Sequence, residues 1–314
     1  MGRKIFFSLS LILLMLNNVW AYWIWTPKTG KWVNPKYAVK DSPQEQLDWA
    51  MNLYMGKDYE GAIREFKKLI KYYPHSSQAC DAQYFMGRIY EERGKFYEAF
   101  QAYQKVIDLY PYTQKVEEVI EREYRIGELY FTGHRDKFLG MSLIPSQERA
   151  LEIFQKVVEN APYGKYAPPS QYKIGIILRG LGQFEEAKQA FLKLEKNYPE
   201  SEFAREAKYQ IGLSGYKVSP QSDYTQEETE SSIKEIEEFL ITNPQSPLKE
   251  DAEKVLNDLK NRKAESLFKT AQFYERQKKF SSALLYYEEI VNNYPDSLWA
   301  AKSLERISIL KENK

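Results

Sequence analysis

The sequence is poor in the residues that carry metal and redox chemistry. It has a single cysteine, Cys80, and two histidines, His75 and His134, which lie far apart along the chain. One cysteine excludes a disulfide within the chain and a cysteine-rich metal site. A metal site on the histidines would need further ligands at fixed spacing, and the sequence offers none. We therefore predict no metal and no cofactor.

An excess of charge of one sign is also missing, with 45 basic against 44 acidic residues. A nucleic-acid binder normally carries a clear basic excess, so we expect no nucleic-acid partner. The sequence contains no glycine-rich phosphate loop, no GxSxG and no HExxH motif. We therefore predict that the protein has no catalytic residues and is not an enzyme. What the chain has instead is aromatic residues, 15% of the total, of which 25 are tyrosines.

Only the N-terminus carries a long hydrophobic run. Residues 1–21 read MGRKIFFSLSLILLMLNNVWA, with Arg3 and Lys4 followed by an apolar stretch too short to span a bilayer comfortably. Val19 and Ala21 supply the small residues of a cleavage site, which predicts a signal peptide cut after Ala21. An uncleaved membrane anchor is the alternative. Without Arg3 and Lys4 the chain has 43 basic against 44 acidic residues, and no other stretch predicts a membrane span.

Six prolines recur in a fixed context along the rest of the chain. They are Pro74, Pro111, Pro162, Pro199, Pro244 and Pro295. Twelve residues before each of them stands a small residue, in the order Ala62, Ala99, Ala150, Ala187, Ser232 and Ala283. Eight residues before each proline stands an aromatic residue, or Ile236 in the fifth case. Five residues before each proline stands an aliphatic residue, or Phe239 in the fifth case. Residues at these spacings lie on one face of a helix, and the proline just past the last helical residue ends the helix.

A second set of small residues marks a partner helix upstream of four of these six helices. Its members are Gly87, Gly127, Gly175 and Gly212. Together the two sets are the tetratricopeptide (TPR) pattern, in which paired helices A and B repeat along the chain. We predict an all-α TPR superhelical solenoid of about six helix pairs plus a C-terminal capping helix. Such arrays bind peptides and proteins in a concave groove lined by A helices.

The predicted organisation has four parts. Residues 1–21 are the signal peptide, 22–41 an aromatic N-terminal segment, 42–246 TPR units 1–5, and 247–314 a long helix, TPR unit 6 and the capping helix. The six units span about 43–76, 78–113, 115–163, 168–201, 203–246 and 264–297. Lengthened turns are expected within 134–147 and 217–229. Ser42 and Glu45 form a capping-box pattern with Pro43 at the first helical position.

Tyrosines recur three residues before the A-helix glycines, at Tyr84, Tyr124, Tyr172 and Tyr209. In a TPR this position faces the groove, although recurrence in every repeat favours packing against the next helix. Arg88, Glu128 and Ile176 follow the same glycines and also face the groove. With the neighbouring aromatic and charged positions they predict a peptide-binding groove formed by Tyr54, Tyr84, Arg88, Glu91, Tyr124, Glu128, Phe131, Tyr172 and Arg179.

The stretch AYWIWTPKTGKWVNPK, residues 21–36, is unlike the rest of the chain. Two short alternating apolar runs around Pro27 and Gly30 predict a small hairpin. An isolated hairpin is marginally stable, so it needs a surface to lie on. One interpretation is a staple packed on the first TPR helices, near Trp49. The other is that Trp23, Trp25 and Trp32 contact the membrane interface or a partner.

The combination of signal peptide, repeats with a lengthened third unit, and C-terminal block resembles the BamD family of outer-membrane β-barrel assembly subunits. That block reads KAESLFKTAQFYERQKKFSSALLYYEEIVNNYPDSLWAAKSLERI, residues 263–307. The resemblance implies a periplasmic scaffold at the inner face of the outer membrane. Its partners would be β-barrel assembly components and unfolded outer-membrane proteins, bound non-covalently.

Two departures accompany this resemblance. BamD-like chains usually carry a lipidated cysteine directly after the signal, whereas here Val19, Trp20, Ala21 and Tyr22 occupy that place. We therefore expect no lipid anchor, and peripheral membrane association instead. The chain also has six predicted units where five are usual. The alternative function is a general periplasmic TPR adaptor for cell-envelope or cell-division proteins, similar to those that bind TolA.

Overall fold

The computed structural model describes residues 23–27, 30–34, 38–135, 146–218 and 226–312. In these ranges the chain forms one small hairpin and thirteen helices. The predicted signal peptide at 1–21 lies outside the described residues, as do the central parts of both predicted long turns. The chain divides into two compact units, Met1–Thr113 and Gln114–Lys314.

Unit 1 contains the hairpin and two helix pairs. The strands are β1 (Ile24–Thr26) and β2 (Lys31–Val33), and the helices are α1 (Pro43–Met55), α2 (Tyr59–Tyr72), α3 (Ser77–Glu92) and α4 (Phe96–Leu109). Helices α1 and α3 are the A helices of their pairs. The side chain of Ser42 accepts a hydrogen bond from the backbone N–H of Glu45, 3.2 Å away, and Pro43 begins α1. The predicted N-terminus of the first helix is therefore confirmed.

Unit 2 contains four further helix pairs and a final single helix. They are α5 (Val116–Phe131), α6 (Ser146–Asn160), α7 (Ala167–Gly180), α8 (Phe184–Asn197), α9 (Glu202–Val218), α10 (Gln226–Thr242), α11 (Lys249–Arg276), α12 (Phe280–Asn293) and α13 (Leu298–Glu312). Helix α11 runs without a break for 28 residues, as the absence of Gly and Pro predicted, and its second half is the A helix of the sixth pair. Within the described residues the six predicted pairs and the capping helix are confirmed.

The second predicted long turn falls between α9 and α10. Helix α9 continues to Val218 and α10 begins at Gln226, so the connection between these helices lies within the predicted range 217–229. Gln226, Glu227 and Glu228 are good helix formers, and glutamates are favourable in the first turn, where they meet the positive end of the helix dipole. This local composition accounts for the start of α10 at Gln226.

The small residues of the A helices are explained by aromatic rings of the B helices. A Cβ atom placed on Gly175 would come within 2.5 Å of the Phe191 ring, and one on Gly87 within 2.4 Å of Tyr103. Both rings are fully buried. The glycines therefore permit the close helix approach that lets each ring fill the space inside its own pair.

A buried glutamine also joins the two helices of several pairs. Gln83 Nε2 donates to the carbonyl oxygen of Ala102, and Gln171 Nε2 to that of Ala190, each over 2.9 Å. Gln46 makes the same contact with the carbonyl of Glu65 over 3.2 Å. In each case the acceptor lies 19 residues after the glutamine. These bonds satisfy polar groups that the packed interior would otherwise leave without partners.

The hairpin has antiparallel strands, with Ile24 opposite Val33, Trp25 opposite Trp32 and Thr26 opposite Lys31. Gly30 adopts a φ of +60°, a conformation that favours glycine, at the turn into β2. Among the described residues, no helix combines the length and the apolar character needed to cross a membrane.

Candidate functional site

Unit 1 carries a polar-aromatic group that we call the Glu92 cluster, made of Tyr54 on α1, Tyr59 at the start of α2, and Arg88 and Glu92 on α3. The hydroxyls of Tyr54 and Tyr59 donate to the two oxygens of the Glu92 carboxylate, the latter over 2.9 Å. Arg88 lies 4.0 Å from the same carboxylate. The side chains of Arg88 and Glu92 are about one-third exposed, so this cluster is accessible from solvent.

Both tyrosines of the Glu92 cluster are held in the neutral form. Burial, followed by the hydrogen bond to Glu92, raises the pKa of Tyr54 to about 12. For Tyr59 the hydrogen bond to Glu92 is the leading cause of a raised pKa. The cluster thus presents a carboxylate already engaged by two neutral donors, with a guanidinium beside it.

Two of the predicted groove residues in unit 1, Tyr84 and Glu91, are directed toward α4. Tyr84 is only 3% exposed and packs between Phe85 and Tyr103, with ring centroids 5.4 Å and 5.9 Å away. Glu91 turns toward the partner helix, where it accepts a hydrogen bond from the hydroxyl of Tyr103. Tyr84 and Glu91 therefore contact α4 within their own pair, and the Tyr84 hydroxyl also accepts a hydrogen bond from Arg88 over 3.3 Å. Tyr54 and Arg88 are brought together.

In unit 2 the facing sides of α5 and α7 form what we call the Lys173 cluster, made of Glu128, Phe131 and Lys173. Lys173 Nζ lies 3.0 Å from Glu128 Oε1 and 4.7 Å from the centroid of the Phe131 ring. The cation is thus held by a carboxylate on one side and an aromatic face on the other. The predicted residues Glu128 and Phe131 meet here, and sequence reasoning missed Lys173, which joins them.

Tyr124 lies one helical turn before Glu128 on α5. Its ring stacks on Tyr166 with centroids 4.7 Å apart and tilts against Phe154 at 5.7 Å. Burial, followed by the charge of Glu128, raises its pKa to about 12. Tyr124 therefore combines an architectural contact with Phe154 and a partly exposed stack with Tyr166.

Helices α7 and α9 meet at a third group, the Tyr172 cluster, made of Tyr172, Arg179, Glu206 and Gln210. The Tyr172 hydroxyl donates to Glu206 Oε2 over 3.0 Å and accepts from Gln210 Nε2 over 3.2 Å. Arg179 donates to the side-chain oxygen of Gln210. Tyr172 and Arg179 were predicted as groove residues, and the structure joins them through Gln210.

Burial also governs the titration of this cluster. Burial and the negative charge of Glu206 raise the pKa of Tyr172, and burial lowers the pKa of Arg179. The tyrosine remains a neutral hydrogen-bond donor, and the arginine stays charged because its ordinary pKa is so high. Tyr209, in the equivalent position on α9, is 6% exposed and packs on Phe239 at 5.4 Å, whereas Ile176 is half-buried.

The three hairpin indoles are the most exposed of the predicted contact residues. Trp23 is 59%, Trp25 51% and Trp32 62% exposed. Trp49, the expected support for a packed staple, is itself 42% exposed and lies under Lys40 Nζ, 4.8 Å from its ring centroid. The indoles are therefore not buried as a staple on Trp49 would require.

Together these clusters present tyrosine hydroxyls, aromatic faces and paired charges on the helix surfaces. Helix periodicity predicted the individual groove positions. It did not predict the residues that connect them, since a lysine or glutamine on a helix surface is common. In the part of the chain that the structure describes, no three His, Cys, Asp or Glu side chains are placed to hold a metal ion.

A family model described as an outer membrane lipoprotein, YfiO, matches residues 147–313. The match extends over more than half of the chain and takes in helices α7–α13 completely. The chain belongs to this family. A second model, described as tetratricopeptide repeat, matches residues 47–112 of unit 1. Together with the repeated helix pairs, these matches make the protein an all-α TPR member of the YfiO family.

Among curated proteins, this YfiO-family chain is similar to the outer membrane protein assembly factor BamD of Vibrio cholerae serotype O1. The two are 36% identical over 83 residues, which cover 26% of this chain and 34% of BamD. The match thus spans about a third of that relative's length.

Solved structures of TPR proteins are also similar to this chain. YrrB, described as a TPR protein with an unusual peptide-binding site, shares 17% identity, with 70% of this chain and 94% of that chain covered and a TM-score of 0.35. A tetratricopeptide repeat protein from Parabacteroides merdae shares 14% identity, with 87% and 100% covered and a TM-score of 0.34.

Proposed function

We propose that this protein is a periplasmic scaffold in the assembly of outer-membrane β-barrel proteins, and that it acts by non-covalent recognition. The observation that carries the proposal is the YfiO-family match over residues 147–313. The partial likeness to BamD, a named assembly factor, supports the same role. In this role the protein stands at the inner face of the outer membrane.

The A-helix surfaces support a function in peptide binding. The Glu92 and Tyr172 clusters combine tyrosine with arginine, two side chains that are enriched among the residues that dominate binding energy. The Lys173 cluster adds the ring of Phe131, and aromatic residues are enriched at interfaces. The hydroxyls of Tyr54 and Tyr59 donate their protons to Glu92, and their oxygens can accept hydrogen bonds from the backbone N–H groups of an extended segment. Exposed ring edges can contact aromatic side chains of such a segment. We propose that unfolded outer-membrane proteins bind at these clusters.

The C-terminal helices are the proposed docking surface for an assembly partner. Glu275 on α11 accepts from the hydroxyl of Tyr287 on α12 and pairs with Arg306 on α13. These contacts join three helices at one carboxylate. Because the helices are held together in this way, we expect their surface to be rigid and to bind without reorganising. The barrel-forming assembly component is the partner that we expect here.

Purification of the tagged protein from cross-linked envelope membranes tests the role. We expect the barrel-forming assembly protein among the recovered partners. Its absence would contradict the assembly role, and recovery of cell-division or TolA-type partners in its place would select the general adaptor function instead.

A charge reversal tests the proposed peptide surface. Lys173→Glu places a second carboxylate beside Glu128 and removes the cation from the Phe131 ring, whereas Lys196→Glu makes the same change at an exposed position of α8. We expect Lys173→Glu to weaken binding of unfolded outer-membrane protein by roughly tenfold, the equivalent of about 1.4 kcal/mol. Equal losses in both variants would contradict this location.

A further inference from the structure

The register of the hairpin puts three indoles on one face. Trp25 and Trp32 are directly opposite each other, with ring centroids 6.0 Å apart in an edge-to-face arrangement. Trp23 lies two residues before Trp25, and side chains at this spacing point to the same side of a strand. All three indoles are more than half exposed. The result is a compact aromatic surface on a hairpin too small to be stable without support.

The charge of this region is opposite to that of the rest of the chain. Residues 22–40 contain four lysines, Lys28, Lys31, Lys36 and Lys40, and no acidic residue. From Asp41 to Lys314 there remain 39 basic against 44 acidic residues. The helical part of the chain therefore has a net negative charge, and the aromatic segment has a positive one. Anionic phospholipid headgroups attract the segment and repel the remainder.

The residue types distinguish a lipid surface from a protein partner. Tryptophan and tyrosine are enriched at bilayer interfaces, where an amphipathic ring meets both headgroup and hydrocarbon. Residues 22–40 contain aromatic residues of these two kinds only, and they contain no leucine. Protein–protein interfaces favour arginine and are depleted of lysine, yet all four cations of the segment are lysines.

We propose that the hairpin is a lipid-docking element, whose indole face of Trp23, Trp25 and Trp32 enters the interfacial region of an anionic phospholipid bilayer. The net positive charge of residues 22–40 attracts this segment to the headgroups. Aromatic insertion and electrostatic attraction act together, as two weak signals commonly do in peripheral membrane anchoring. The identity of the membrane rests on the proposed function, while the binding to lipid rests on the hairpin alone.

Tryptophan quenching by lipid is the direct test. The protein, purified from cells that export it, is mixed with vesicles of phosphatidylglycerol and phosphatidylethanolamine, with and without bromine on the upper acyl carbons. The variant with Trp23→Phe, Trp25→Phe and Trp32→Phe is measured in parallel. Subtracting its emission isolates the hairpin indoles, because Trp49 and Trp299 are common to both proteins.

We expect brominated vesicles to quench the hairpin component by at least half. Replacing phosphatidylglycerol with phosphatidylcholine should raise the lipid concentration for half-maximal quenching about tenfold. The Lys31→Glu variant should raise this concentration on anionic vesicles only. A Trp49→Phe variant is the matched control and should lower total emission without changing that concentration.

An unquenched hairpin component would overturn the proposal. So would quenching that is equal on anionic and zwitterionic vesicles, since the charge argument predicts a difference. If the three substitutions abolish self-association in sedimentation experiments while the indoles stay unquenched, the hairpin binds a second copy of the chain instead. No assembly protein is present in these measurements, so their outcome is independent of the envelope purification.

Discussion

Tyr287 donates a 2.9 Å hydrogen bond from its hydroxyl to Glu275 Oε2, twelve residues earlier in the chain. Tyr103 makes the equivalent bond to Glu91, again over twelve residues. Both tyrosines occupy the aromatic position of a B helix and are fully buried. In three other pairs this position is phenylalanine, at Phe66, Phe154 and Phe191, which has no hydroxyl to satisfy. A polar ring in the core thus comes with its own acceptor on the A helix.

The first prediction concerns that acceptor. Glu275→Ala leaves the buried Tyr287 hydroxyl without its carboxylate and separates Arg306 from its partner, so we expect the free energy of unfolding of this part of the chain to fall by about 1–3 kcal/mol. Urea unfolding followed by circular dichroism measures the loss. In a Tyr287→Phe background the same substitution should cost less, because the hydroxyl is gone.

A surface pair on the same helices supplies the control for Glu275. Lys311 and Glu288 form an ion pair in which both side chains are substantially exposed, 58% and 43%. Pairs of this kind contribute little, so Lys311→Ala should change stability by less than about 1 kcal/mol. An equal effect of Lys311→Ala and Glu275→Ala would refute the special role of the Glu275 carboxylate.

The second prediction concerns close helix approach. Gly175→Ala brings a methyl group within 2.5 Å of the fully buried Phe191 ring, so we expect a net loss of about 1–3 kcal/mol by overpacking. Gly180, at the end of the same helix, has no atom closer than 4.0 Å to an added Cβ. Gly180→Ala should be neutral or stabilising by up to about 1 kcal/mol through helix propensity. The measurement is thermal unfolding of both variants. A Gly175→Ala protein as stable as the original would contradict the close packing of Gly175 against Phe191.

The third prediction is a loss of stability at high pH. The pKa values of Tyr54, Tyr124, Tyr287 and Tyr294 are raised from 10.0 to about 12, with burial as the leading cause in each. A raised pKa means that the folded state keeps a proton that the unfolded state releases. Stability from these groups is therefore complete below pH 10 and is lost as the pH rises toward 12.

Two measurements check the tyrosine titration. The free energy of unfolding should decline between pH 10 and 12, and phenolate absorbance should rise at higher pH in the folded protein than in the chain unfolded by urea. Tyr54→Phe should reduce the number of tyrosines that titrate late. A folded protein whose absorbance follows that of the unfolded chain at every pH would exclude these shifts.

The fourth prediction uses the buried glutamines. Gln171 donates to the Ala190 carbonyl, whereas the equivalent position of the sixth pair, four residues before the small residue of its A helix, is the apolar Leu267. Leucine fills a similar volume, and Ala190 O keeps its acceptor role within α8. Gln171→Leu should therefore change stability by less than about 1.5 kcal/mol, while Gln171→Ala should cost more by opening a cavity. Urea midpoints that rank the two variants in reverse order would contradict this.

Much of the fold could be predicted because its signals are local. Apolar periodicity, the recurring small residues and the prolines past each B helix indicate where helices begin, end and pair. Each of these signals depends on residues that are close together along the chain. The unbroken α11 and the N-cap of α1 follow from the same kind of signal. The hairpin could also be predicted, because its aromatic composition and its Pro and Gly residues are local features of the sequence.

The site could be predicted only in part, because surface position depends on how helices pack. Glu91 and Glu92 are adjacent in sequence, and successive side chains on a helix point about 100° apart, following from 3.6 residues per turn. Glu91 therefore turns inward to Tyr103, and Glu92 outward to Tyr54 and Tyr59.

The amino-acid sequence by itself determined the helix pairs, their repeat and their TPR class, since helix periodicity and chain breakers are properties of neighbouring residues. Only the tertiary structure decided that Tyr84 is core, that Lys173 bridges Glu128 and Phe131, and that Gln210 joins Tyr172 to Arg179. The last two contacts join residues of different repeats, and the distance between them is set by the packing of whole helices rather than by spacing along the chain.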